Sequence, residues 1–238
     1  MTAPDQEAMI AAAAKKPLSG GGRPTKYVLK DGTKVPGVTT ITGRFKESGG
    51  LIHWAWSLGM DGKDYRKARD DATTAGSLAH AMIDAAIHSQ PIPEPPSGAG
   101  QAQIDGARQG FEAFLTWRRR VPMELLATEV PLVSEVHRFG GTLDALGRID
   151  GAIVLPDWKS SNAIYPEYLA QIGAYVILAE EKLEFGAIQE AHLLRVGKEF
   201  GDFHHHSWGR QVLDEACAAF LLMRQLYEKM ALLKKAAA

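Results

Sequence analysis

The chain has 238 residues, 45% of them hydrophobic and 23% charged, the balance of a globular protein with a core of ordinary size. Lys and Arg total 27 against 28 Asp and Glu, for a formal net charge of −1; this excludes a generally polybasic coat protein but leaves room for a local basic groove. The single cysteine, Cys217, excludes an internal disulfide framework and any four-cysteine zinc or iron–sulfur site.

Residues 1–25 are rich in alanine and then in glycine (Gly20 to Gly22), the composition of a mobile tail. Asp5 and Glu7 precede its short apolar run and Lys15-Lys16 follow it, the reverse of a secretory signal. No apolar run is long enough for a bilayer, so the expected location is the cytoplasm, of a bacterium or a phage-infected host, with no membrane partner. Tyr27 to Lys30, Asp31-Gly32 and Lys34 to Val38 predict a short hairpin. Leu51 to Met60 and Ala68 to His88 carry helical apolar spacing. Pro91, Pro93, Pro95 and Pro96 then impose an exposed loop. A helix over Ile104 to Arg120 is followed by three strands, Leu125 to Val133, Phe139 to Ile149 and Ala152 to Lys159. Pro166 opens a helix to Glu181. Ala187 to Val196 reads as another strand, Phe203 to Trp208 extends the sheet, and Arg210 to Lys235 is helical with Leu213, Ala216, Phe220, Met223 and Tyr227 on one face. That helix is expected to serve packing.

The segment from Gly140 to Lys159 is the most informative. With Asp150-Gly151 as a two-residue hairpin loop, Ile149 faces Ala152 and, further along, Asp144 faces Asp157. Lys159, two residues beyond Asp157, emerges on the same face. Opposed carboxylates about 5 Å apart repel by roughly 3 kcal/mol at an effective dielectric near 20, and a bound divalent cation reverses that sign. Oxygen ligands with room for water suit Mg2+ or Mn2+ better than zinc. A solvated hairpin would need no such ion, but Ala152-Ile153-Val154-Leu155 is apolar on both faces, as a buried central strand is. Charges at the end of a buried strand need partners.

These residues resemble a known family. Gly76-Ser-Leu-Ala-His80, Gly141-Thr-Leu-Asp144, Asp157-Trp-Lys159 and Gln171-Ile-Gly-Ala-Tyr175 look like the motifs of the RecB-like branch of the PD-(D/E)XK nuclease superfamily. Within it the chain is most similar to phage-encoded exonucleases and the mitochondrial genome-maintenance exonucleases; Val35 to Thr40 before a tryptophan-containing helix adds a weaker likeness. The resemblance implies an α/β, restriction-endonuclease-like core of helix, three strands, helix and strand, with a central mixed sheet flanked by helices. It also implies one nuclease domain over 26–238, divided into an N-terminal elaboration (26–70), a catalytic core (72–208) and a C-terminal helix (209–238).

On that resemblance Asp144, Asp157, His80 and the Trp158 backbone carbonyl ligate Mg2+ or Mn2+. Lys159 acts on the attacking water or on the phosphate. Gln171 and Tyr175 steady the site and contact the DNA backbone, and Glu129 holds a water on the metal or a neighbouring ligand. The missing cysteines rule out the iron–sulfur cluster of some members. The implied activity is metal-dependent exonucleolytic hydrolysis of DNA with a free end, single-stranded DNA included, in phage or bacterial recombination or repair, beside a recombination or annealing protein. A structure-specific endonuclease of the same fold, or an inactive DNA-binding subunit of a recombination complex, are the alternatives. Trp54 and Trp56, beside His53, are candidates for stacking on bases, although packing is the commoner fate of tryptophan. Arg148, the run Arg118 to Arg120, and Lys198 are candidate phosphate contacts. His204, His205 and His206 alternate faces of a strand and cannot ligate one ion together.

Overall fold

The computed structural model describes residues 18–19, 26–46, 48–161, 163–196 and 203–237. Of the tail expected over 1–25, the described part is Leu18–Ser19 (β1), which pairs in parallel with Ala127 and Thr128 at the sheet edge; the rest lies outside the described residues. Tyr27–Val28 (β2) and Lys34–Val35 (β3) form the expected hairpin. Its turn has Gly32 at φ 84°, with the Thr33 N–H donating to Asp31 Oδ1 at 2.8 Å. Val38–Thr42 (α1), Gly49–Met60 (α2), Tyr65–Ile87 (α3) and Gln101–Arg120 (α4) follow, with the proline loop between α3 and α4. Glu124–Ser134 (β4), Phe139–Ile149 (β5) and Ala152–Ser160 (β6) are antiparallel neighbours. Pro166–Lys182 (α5) crosses over to Glu190–Val196 (β7), parallel to β6. Phe203–Gly209 (β8) closes the edge, and Arg210–Ala236 (α6) ends the described chain.

The mixed sheet runs β1-β4-β5-β6-β7-β8 and is covered on both faces. On one, Ile172, Val176 and Leu178 of α5, with Leu213 and Phe220 of α6 and Ile41 of α1, bury Leu143, Leu155 and Leu193. On the other, Ile83 of α3 with Phe114 and Trp117 of α4 bury Ala145, Val154, Trp158 and Leu194. This two-sided cover is why β6 is apolar on both faces. Helix, three strands, helix and strand therefore stand in the order the sequence implied, in an α/β fold with a central mixed sheet. No helix among the described residues is long and apolar enough to cross a membrane.

Candidate active site

The β5–β6 hairpin forms as its sequence dictates at the turn. Asp150 (φ 48°) and Gly151 (φ 87°) are both left-handed, the two-residue geometry that Asp-Gly favours. Ile149 faces Ala152, Arg148 faces Ile153 and Gly147 faces Val154. The pairing then stops. β5 stays laddered to β4 as far as Phe139, and β6 runs along β7 as far as Ser160. The expected direct pairing of Asp144 with Asp157 is thus not made, because the strands part before reaching it. Pro156 lies in this stretch and has no N–H to give a ladder. A side chain enters the gap instead: the Trp158 N–H donates to Asp144 Oδ2 at 3.5 Å.

A second irregularity lies at the same level on β4. Thr128 faces Ala145 and Val130 faces Leu143, so Glu129 stands across from Asp144. Glu129 has φ 46°, a left-handed conformation inside a strand that costs about 1–3 kcal/mol for a residue with a side chain. The inside–outside alternation slips by one here. Ala127 and Val130 pack into the same core, as do Leu143 and Leu146, although each pair is an odd number of residues apart. At this kink one ligand atom each from His80 on α3, Glu129 and Asp144 lie within 4.8 Å of one another. Sequence reasoning gave Glu129 a supporting part only; its backbone strain is the signal that was invisible.

Asp157 does not join that group. Its carboxylate accepts from Lys159 Nζ at 2.9 Å on Oδ1, with Oδ2 2.7 Å away. Asp144 and Asp157 are 2% and 1% exposed, and burying charges to that degree calls for cationic partners. For Asp157 the ammonium of Lys159 supplies one. Two carboxylates and an imidazole converging at Asp144 are a donor set that fits a divalent cation of the Mg2+ or Mn2+ kind, the imidazole favouring the softer of the two.

Lys159 also lies 5.7 Å from the centre of the Tyr168 ring. Tyr168 meets Tyr165 edge-on at 5.4 Å, and Lys46 Nζ sits 5.8 Å from the Tyr165 ring. Burial pushes the Tyr168 phenol above its ordinary value, with the Ser161 hydrogen bond and the Lys159 charge opposing. Arg195, across from Lys159 on β7, is buried and donates to the Ser161 carbonyl at 2.8 Å. Sequence reading missed this cation–aromatic row and Arg195, because the contacts join segments far apart in the chain.

On α5, Gln171 Nε2 donates to the Tyr175 hydroxyl at 2.8 Å. Tyr175 is 2% exposed and packs so closely on β5 that a Cβ at Gly141 would lie 2.8 Å from its ring. Its hydroxyl is engaged and its ring is buried. Arg148 is placed otherwise than expected. It is ion-paired to Glu124 at 2.6 Å, four residues and about 13 Å along the strand from Asp144. Trp54 is half-buried, whereas Trp56 is 60% exposed beside His53 on a helix with no buried residue, against the packing role tryptophan usually takes.

Arg118 and His205 have local partners. Arg118 donates to the carbonyls of Val121 and Met123 at the end of α4, and burial lowers its pKa. His205 makes a 3.0 Å hydrogen bond with His192 and lies edge-on to Trp117; burial, then the neighbouring His192 and His206, push it below the ordinary histidine value. Lys198 lies outside the described residues.

No protein-family model matches the chain, and no curated protein does. Solved structures do. The alkaline exonuclease LHK-Exo from Laribacter hongkongensis is 18% identical over 68% of this chain and 92% of its own, with a TM-score of 0.35. Its complex with dAMP is 18% identical over 70% and 96%, with a TM-score of 0.36. A candidate exonuclease from Eubacterium rectale is 12% identical over 100% of this chain and 88% of its own, with a TM-score of 0.41. Likeness at these scores carries no weight for the chemistry, which rests on this chain's own residues.

Proposed function

We propose that the chain is a metal-dependent deoxyribonuclease, and specifically an exonuclease acting on DNA with a free end in phage or bacterial DNA processing. The observation that carries this reading is the meeting of His80, Glu129 and Asp144 beside the Asp157–Lys159 pair, where β5 and β6 part. His80, Glu129 and Asp144, with the Trp158 carbonyl, would hold Mg2+ or Mn2+. When bound, that cation neutralises charge on a phosphate and acidifies water.

The chain's own groups do the rest. Asp157 fixes Lys159, whose ammonium then orients the attacking water or bonds the phosphate as its charge builds. Gln171, held by Tyr175, would steady the site. Trp56 offers an exposed π face for unpaired bases. The exonuclease preference and the place in recombination, with an annealing partner, rest on the sequence resemblance.

The test uses an end-labelled linear single strand and a closed single-stranded circle, each with Mg2+, Mn2+ or chelator, alongside Lys159→Ala. Metal-dependent loss of the linear strand alone, absent in Lys159→Ala, is the expected result. Cutting of the circle would make the enzyme an endonuclease. No cleavage of either substrate with any metal would move the test to linear duplex DNA, and an intact duplex as well would leave a DNA-binding subunit.

A further inference from the structure

The C-terminal helix α6 has two faces of opposite standing. Leu213, Ala216, Phe220 and Arg224 are buried against the body, and Arg224 Nε donates to the Arg138 carbonyl at 3.1 Å. A second apolar stripe, Val212, Ala219, Leu222, Leu226, Met230 and Leu233, recurs at spacings of seven, three, four, four and three residues and therefore lines one side of the helix. Its large members are exposed, Leu222 by 66%. From Val212 to Leu233 it runs for about 32 Å, far more apolar surface than a lone helix leaves in water without a partner.

We propose that this stripe is where a second copy of the chain docks, α6 against α6 in antiparallel fashion about a two-fold axis at Leu222. The stripe's charges select that occupant and that direction. Glu215 and Lys229, both exposed, stand seven residues to either side of Leu222, which is two helical turns and the same face. In an antiparallel pair Glu215 of one copy falls against Lys229 of the other, twice by symmetry. Ala219 comes level with Gln225, one residue from Leu226, and Val212 with Leu232, one residue from Leu233, so smaller side chains lie beside larger ones along the seam. Parallel pairing would instead oppose Glu215 to Glu215 and Lys229 to Lys229. The exposed Ile52, Trp56 and Met60 of α2 show no such self-complementarity, because that helix carries no Asp, Glu, Lys or Arg.

The experiment is sedimentation equilibrium of the full chain at low and high salt. A concentration-dependent dimer is expected, and Leu222→Glu, which sets two carboxylates on the axis, weakens it at least about tenfold with an unchanged circular dichroism spectrum. Glu215→Lys or Lys229→Glu alone weakens it roughly tenfold at low salt. The two together restore it, because the swapped charges again meet their opposites. A monomer at every concentration overturns the proposal, as does a dimer indifferent to Leu222→Glu. Failure of the double charge swap to recover the dimer overturns the antiparallel register. Association only with a different protein assigns the stripe to that protein instead.

Discussion

The two ends of the β5–β6 hairpin are built from one continuous pair of strands and behave differently. At the turn, Asp150-Gly151 and three facing pairs follow the register that the local sequence sets. Backbone groups there bond each other, and side chains are free to alternate. At the far end the ladder stops, Asp144 accepts the Trp158 N–H, and Lys159 holds Asp157. Side chains have taken over work that the backbone does elsewhere. Buried charge can gather where a sheet opens, because the gap admits carboxylates that a closed ladder would have kept apart.

Substitutions should separate the two ends. The largest effect is expected at the open end: Asp144→Ala or Lys159→Ala lowers metal-dependent DNA cleavage by about a thousandfold, while urea unfolding shows a stable fold. Wild-type turnover in either variant would remove these residues from the site. Glu129→Gln keeps the shape of the kink but loses a charged donor, so Mn2+ affinity measured calorimetrically falls about ten- to a hundredfold. Asp157→Asn, read in the same titration, tells an ion-pair partner of Lys159 from a metal ligand: affinity holds in the first case and drops in the second.

Gly141→Ala brings a methyl within 2.8 Å of Tyr175 and of Val38. The expected cost is about 1–3 kcal/mol of unfolding free energy, with a loss of activity larger than the stability change explains, since Tyr175 carries Gln171. The smallest effect belongs to the closed end. Gly151→Ala forces a side chain into a left-handed position with open space around it, costing about 1–2 kcal/mol and leaving turnover per folded molecule unchanged. Equal activity losses at Gly151 and Gly141 would erase the distinction between the two ends.

Cys217 supplies a control for the α5–α6 packing that backs the site. Burial pushes its thiol up to about 11, and its Sγ lies 3.3 Å from the Gly173 carbonyl. Alkylation at neutral pH should therefore be slow in the folded protein and fast in urea. Rapid labelling without urea would mean that α6 opens readily from α5.

Much of this molecule was legible in the sequence because it depends on local rules. Asp150-Gly151 demanded a two-residue turn, the run from Ala152 to Leu155 demanded a strand covered on both faces, and Pro166 demanded a helix start; each is met. The order of elements followed, whereas the meeting of His80 with Asp144 was expected from the family resemblance alone. What the chain could not announce depends on long-range packing. The parting of β5 from β6 shows only in the folded sheet, where β5 stays paired with β4 and β6 with β7 beyond the last β5–β6 pair. The left-handed Glu129 is affordable only because the surrounding sheet holds it. Trp56 at the surface and the second apolar stripe on α6 depend on which helix faces the body left uncovered. Periodicity tells which side chains share a face, and only the packed structure decides which faces are buried.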